Sequence, residues 1–113
     1  MADTIFQKII DGEAEADIVH EDDRCVAFRD RNPVAPTHIL IVPRKPIPGL
    51  DDLADEDADL IGHLHVVARD IAREEGLRDG YRTVINTGDD GGQTVWHLHL
   101  HLIGGRRMEW PPG

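Results

Sequence analysis

Residues 95–105 read VWHLHLHLIGG, and the strict alternation of His97, His99 and His101 with Leu98, Leu100 and Leu102 constrains this chain more tightly than any other feature. A period of two is the signature of a β-strand, where successive side chains point to opposite faces. A helix would scatter both residue types around its surface. The leucines therefore face a core, and the imidazoles form a front on the other side.

The rest of the chain limits what that front can do. At 113 residues and 40% hydrophobic, the sequence suits one domain spanning 1–113 with a small core. A single cysteine, Cys25, excludes an intramolecular disulfide and a CxxC metal site. The opening MADTIFQKIIDGE mixes charges into its apolar residues, unlike a signal peptide, and no stretch is long enough to span a bilayer. The expectation is a cytoplasmic protein with no membrane partner. A net charge of −10 argues against nucleic acid, whose backbone is held by clustered Lys and Arg. A small phosphorylated ligand stays open, because backbone N–H groups and imidazoles can hold a phosphate locally.

Local patterns predict an α+β fold with an antiparallel sheet and one main helix on one face. Thr4 and Gln7 fit a capping box before a short helix whose Ile5, Phe6, Ile9 and Ile10 share a face, with Gly12 to end it. Short strands are expected at 16–20, 25–29, 81–86 and over the histidine run, with HILIV (38–42) as a buried strand. The long helix should start near 54–56 and stop at Gly76, with Leu60, Leu64, Val67 and Ile71 as its stripe. His63 and His65 flank that stripe and are expected to be surface residues.

Three readings compete for the imidazole front. It could be a solvated face. It could hold a zinc ion, although His97 and His101 lie roughly 13 Å apart along a regular strand, so a third ligand such as His38 would be needed. Or it could act on a phosphate. A central imidazole can attack phosphorus and form a phosphoramidate, while its neighbours donate hydrogen bonds or a proton. The preceding TGDDGGQT fits the last reading, since Gly88, Gly91 and Gly92 allow the backbone close to an anion and Thr94 offers a hydroxyl. An ordinary hairpin turn is its plainer alternative.

Together, GGQTVWHLHLHLIGG, EDDRCVAFRDRNPVAPTHILIVP and the closing GGRRMEWPPG resemble the histidine triad superfamily, and within it the branch of histidine triad nucleotide-binding proteins. The resemblance implies a five-stranded antiparallel sheet with one long and one short helix, the sheets joined across a homodimer. It implies a purine nucleoside phosphoramidase that binds purine nucleoside monophosphates and phosphoramidates and needs no cofactor or metal. On that resemblance His99 is the nucleophile, His101 contacts phosphate and helps with the leaving group's proton, His97 orients His99, and His38 completes the cluster. Asn86, Gly92 and Thr94 are implied phosphate and sugar contacts, and Asp30 the ribose ligand. Ile5, Phe6, Phe28 and Leu40 are implied base contacts, and Trp110 reaches the partner's leaving-group pocket.

Asp30 could instead hold an Asx turn, and the two phenylalanines could be plain core. Two positions depart from the pattern: Arg31 replaces an apolar base contact, and Trp96 replaces a commoner tyrosine. They put base and leaving-group preference in question. Hydrolysis of dinucleoside polyphosphates or nucleotidyl adenylates, and a non-catalytic nucleotide-binding scaffold, remain as alternatives.

Overall fold

Thr37–Pro43 is the strand on which the rest is assembled, and every residue in THILIVP is buried. The computed structural model describes residues 4–113, and its elements are α1 (Ile5–Ile10), β1 (Ile18–Glu21), β2 (Cys25–Arg29), β3 (Thr37–Pro43), α2 (Ala58–Glu74), β4 (Tyr81–Val84) and β5 (Leu100–Gly104). The five strands form one antiparallel sheet in the order β1-β2-β3-β5-β4. This is an α+β architecture with β3 in the middle.

The sheet's two faces carry different cores. On one face Cys25, Ala27, Ile39, Ile41, Leu98, Leu100 and Leu102 pack with Leu64, Val67, Ala68, Ile71 and Ala72, the buried stripe of α2. On the other face Phe28, Leu40 and their neighbours Val26 and Val42 meet Phe6 and Ile9 of α1. All-apolar β3 thus divides by alternation, Ile39 and Ile41 toward α2 and Leu40 toward α1.

Helix ends follow side-chain chemistry. The α1 cap is half a capping box: Gln7 N–H donates to Thr4 Oγ1 at 3.0 Å, but the Gln7 amide donates to Asp11 Oδ1 rather than back to Thr4. Before α2 the chain makes a 3-10 turn over Asp55–Asp57, so the α-helix proper begins at Ala58, later than the acidic run suggests. Asp57 holds that entry, accepting from Ala54 N–H at 2.9 Å and from Lys45 Nζ at 2.6 Å. At the exit Gly76 takes φ +75°, and the N–H groups of Gly76 and Leu77 donate to Arg73 and Ala72 carbonyls. Arg29 donates two hydrogen bonds to the Glu75 carboxylate, at 2.8 and 3.0 Å, tying β2 to this helix end.

Three expectations need correcting. The strands at 16–20 and 81–86 are shorter, starting at Ile18 and ending at Val84. The histidine run enters the sheet only at Leu100. The last β3–β5 rung is Ile41 with Leu100. Beyond it Pro43 has no N–H to donate, and Leu98 N–H turns instead to the Ile47 carbonyl at 2.7 Å. The alternation survives this break, since Leu98 still lies in the α2-side core. Finally, His63 is not simply a surface residue: it is half-buried, with Nε2 2.8 Å from Asp22 Oδ2. His65 is exposed, as expected.

No helix among the described residues is long and apolar enough to cross a membrane. Leu64 is fully buried at the centre of the larger core. Its replacement in Leu64→Ala should lower unfolding free energy by about 2–5 kcal/mol in urea denaturation.

Candidate active site

A buried ring nitrogen must find a partner, and in His38, His97, His99 and His101 the partners decide the tautomer. His97 is 1% exposed, and its Nε2 lies 2.7 Å from the Pro43 carbonyl, so Nε2 carries the proton. His99 Nδ1 lies 2.7 Å from the His97 carbonyl, so Nδ1 carries the proton and Nε2 is left with its lone pair. His38 Nδ1 accepts from Val34 N–H at 3.2 Å, which puts its proton on Nε2, 2.9 Å from His101 Nδ1. His101 therefore carries its own proton on Nε2. That atom is buried without a partner.

The outcome is a free lone pair on His99 and an unused N–H on His101, on rings whose centroids are 4.9 Å apart. Phe6 stands edge-on to the His99 ring at 4.8 Å and fixes its plane. A lone pair beside a donor suits a reacting electrophile whose oxygen gathers negative charge. Asp30, His38 and His101 also bring donor atoms within 4.8 Å of one another, a spacing a metal ion could use. The two facing imidazole nitrogens are already bonded to each other, so an ion would have to break that pair.

The glycine-rich segment approaches from Gly88 to Thr94. A Cβ on Gly91 would fall 2.2 Å from the Thr87 carbonyl oxygen, so glycine is required there by contact. Gln93 is the residue the sequence reading passed over. It is buried, and its Oε1 accepts from Gly88 N–H while Nε2 donates to the Pro48 and Val95 carbonyls. One amide thus closes the base of the loop. A polar residue between GG and T carries no periodic signal, so only the fold reveals it.

The remaining candidates divide. Asp30 joins the cluster, with Oδ2 3.5 Å from His38 Nε2, while its Oδ1 accepts from Asn32 N–H in an Asx turn. Phe6, Phe28 and Leu40 lie in the core behind the imidazoles, 7%, 3% and 4% exposed. Ile5 is exposed, as are Gly92 and Thr94, and Asn86 is half-buried. Arg31 is exposed and donates to the Glu15 carbonyl at 3.3 Å. Trp110 is 85% exposed among the described residues; Arg82 holds the tail through the Glu109 and Pro112 carbonyls.

Burial dominates the titration of all four histidines and favours their neutral forms. His101 is pushed down to about 4, with the neighbouring His99 and His38 adding to the effect of burial. His38, His97 and His99 are lowered as well, chiefly by burial and partly offset by Asp30, the Pro43 carbonyl and the His97 carbonyl respectively. An unfolded chain binds protons below the ordinary value of 6.5, where the folded cluster resists them. Stability is therefore full above pH 6.5 and lost as pH falls from there through about 4. Melting temperature should follow that window, and His101→Asn should flatten the descent.

The HIT domain family model matches residues 11–108. A HIT-like protein of Synechococcus elongatus is 60% identical over 111 residues, covering 98% of this chain and 97% of its own. The crystal structure of a HIT family hydrolase from Legionella pneumophila superposes with a TM-score of 0.96 at 48% identity, covering 98% of this chain and 100% of that one. A histidine triad protein from Clostridium difficile gives 0.92 at 47%, over 96% of each chain. With its five-stranded sheet and clustered imidazoles, the chain belongs to the HIT domain family.

Proposed function

We propose that this protein is a hydrolase of purine nucleoside 5′-phosphoramidates, working through a nucleotidylated His99. The observation that carries the reading is the wiring of the cluster: the His97 carbonyl leaves His99 Nε2 as a lone pair, next to the unpartnered N–H of His101.

The first step forms a bond from His99 Nε2 to phosphorus and breaks the bond from phosphorus to the amine, which leaves with a proton taken from water. Substitution at Nε2 makes the His99 ring cationic. Its remaining Nδ1–H points at the His97 carbonyl, which eases that charge. In the second step water attacks phosphorus, the bond to His99 breaks, and a nucleoside monophosphate departs as the water gives up a proton. His101 stays neutral near pH 7 and donates from Nε2 to a phosphoryl oxygen. Gly92, Thr94 and Asn86 line the phosphate and sugar side. Asp30 keeps Oδ2 for a ribose hydroxyl, Ile5 and Arg31 flank the base, and Phe6, Phe28 and Leu40 support that wall from behind.

Purified protein should hydrolyse adenosine 5′-phosphoramidate, and rapid acid quenching should trap nucleotide on one histidine. His99→Asn should lose several orders of magnitude in turnover, on the scale of roughly 10⁶ seen when a covalent nucleophile is removed. Near-native turnover by that variant would overturn the reading. Asp30→Ala should weaken adenosine monophosphate binding and shrink the preference for ribo- over deoxyribonucleotides. The change should approach the roughly 1.5–3 kcal/mol of a hydrogen bond to a charged group.

The same reading makes the protein a homodimer. It is supported by the free outer edge of β4, by exposed Tyr81 and Val66, and by a tail that leaves Trp110 unpacked. The partner's tail then shapes the leaving-group pocket. Deleting residues 110–113 should change preference among amines while leaving nucleotide affinity nearly constant. A dimer of a His99→Ala chain and a tail-deleted chain should keep native amine preference at its single working site. Behaviour like the tail-deleted homodimer would place the tail's action within its own subunit.

A further inference from the structure

A second cluster of ligand-type side chains sits on the opposite face of the sheet from the triad. Asp22 is its hub. Its Oδ1 accepts from the N–H groups of Arg24 and Cys25, both at 2.8 Å, which locks the carboxylate in the β1–β2 turn. Its Oδ2 faces three groups: His20 Nε2 at 2.8 Å, His63 Nε2 at 2.8 Å and Cys25 Sγ at 3.5 Å. The donor atoms of His20, Asp22 and Cys25 all lie within 4.8 Å of one another. His20 comes from β1, Cys25 from β2 and His63 from α2, so the chain brings them together across 41 residues between Asp22 and His63.

Position separates this cluster from the catalytic candidates. Cys25 belongs to the core under α2, and His20 pairs across the strands with Ala27 of that same core. His99 meets Phe6, which belongs to the core on the other face. Arg44, which reaches this turn, is engaged elsewhere: Nε donates to the Asp22 backbone carbonyl and Nη2 to Glu21. Among the described residues, no lysine or arginine pairs with the Asp22 carboxylate. Its counterparts are two imidazoles and a thiol. The side chains of His20, Asp22 and His63 are 35%, 24% and 25% exposed, so an ion can enter from solvent.

We propose that His20, Asp22, Cys25 and His63 form a zinc site that fastens the β1–β2 turn to helix α2. Two neutral imidazoles, one carboxylate and one thiolate make a mixed N, O, S set that suits a borderline-soft ion, and their two negative charges balance Zn²⁺. Tetrahedral zinc with bonds of about 2.0–2.3 Å needs donors about 3.3–3.8 Å apart. The donors at 2.8, 2.8 and 3.5 Å now converge on Asp22 Oδ2 itself, and His63 lies outside the group that shares the 4.8 Å spacing, so binding requires both half-buried imidazoles to leave the carboxylate and His63 to swing in toward His20 and Cys25. Without metal each imidazole donates Nε2–H to Asp22; on binding, each ring shifts its proton to Nδ1 and offers the Nε2 lone pair. The Cys25 thiol gives up its proton as the thiolate meets the ion. The site is closed and structural, with all four positions filled by the protein.

The test uses intact protein stripped of metal with a chelator and titrated with Zn²⁺ by calorimetry. His101→Asn serves as a background that disables the Asp30, His38 and His101 set. One equivalent should bind in the native protein and in His101→Asn. Affinity should fall in His20→Asn and His63→Asn by more than the roughly 10–100-fold that loss of an outer-shell partner costs. Co²⁺ in place of zinc should show a thiolate charge-transfer band that is absent in Cys25→Ala. Melting temperature should rise with zinc in the native protein but not in His63→Asn. Phosphoramidate turnover should be the same in His20→Asn, His63→Asn and native protein. The proposal is overturned by zinc binding that survives both substitutions, by binding confined to the triad, by a cobalt complex without the thiolate band, or by no binding at micromolar zinc.

Discussion

Imidazoles that leave water must find partners for their nitrogens, and this requirement organises the active face. His97, His99 and His38 are nearly sealed, so each proton position is dictated by a neighbour rather than by solvent. The neighbours are chiefly backbone: the carbonyls of Pro43 and His97 and the N–H of Val34. Because main chain sets the tautomers, the sheet must be built before the chemistry exists. The leucines between the histidines do that building, since Leu98, Leu100 and Leu102 anchor the same run in the core under α2.

Much of this was legible from residue order. A period of two separated leucine face from imidazole face, and the bounds of Cys25–Arg29 followed from local composition. The stripe of α2 was visible at helical spacing, with Leu64, Val67 and Ile71 buried as expected. Strand ends were less legible, because a ladder stops where its partner stops. The histidine run leaves the sheet at Leu100 owing to a proline on β3, some 57 residues earlier in the chain.

The site shows a similar division. Residue types and spacing nominated the imidazoles, Asp30 and the glycine loop. They could not tell which ring nitrogen faces which neighbour, since that depends on rotamers and on strand register. Nor could they find Gln93, whose amide joins two local loop bonds to one bond to Pro48, 45 residues earlier. His63 escaped for the same reason: on a helix wheel it is a flank residue, and only the β1–β2 turn gives it a partner. The Phe6 and Phe28 pair shows that core and site are not exclusive, because the ring that packs on Phe28 at 5.5 Å also braces His99.

The bond from Val34 to His38 has a consequence for traffic rather than for position. A peptide N–H is far too weak an acid to surrender its hydrogen, yet it occupies the only lone pair His38 could use to take up a replacement. The row Val34, His38, His101 therefore has a direction but no current. It fixes which nitrogen of His101 keeps its hydrogen, and no hydrogen ion can be drawn through it from the rear. Any hydrogen that leaves His101 Nε2 must be restored from the side on which it left. The row acts as a fixed compass for the buried N–H at its end.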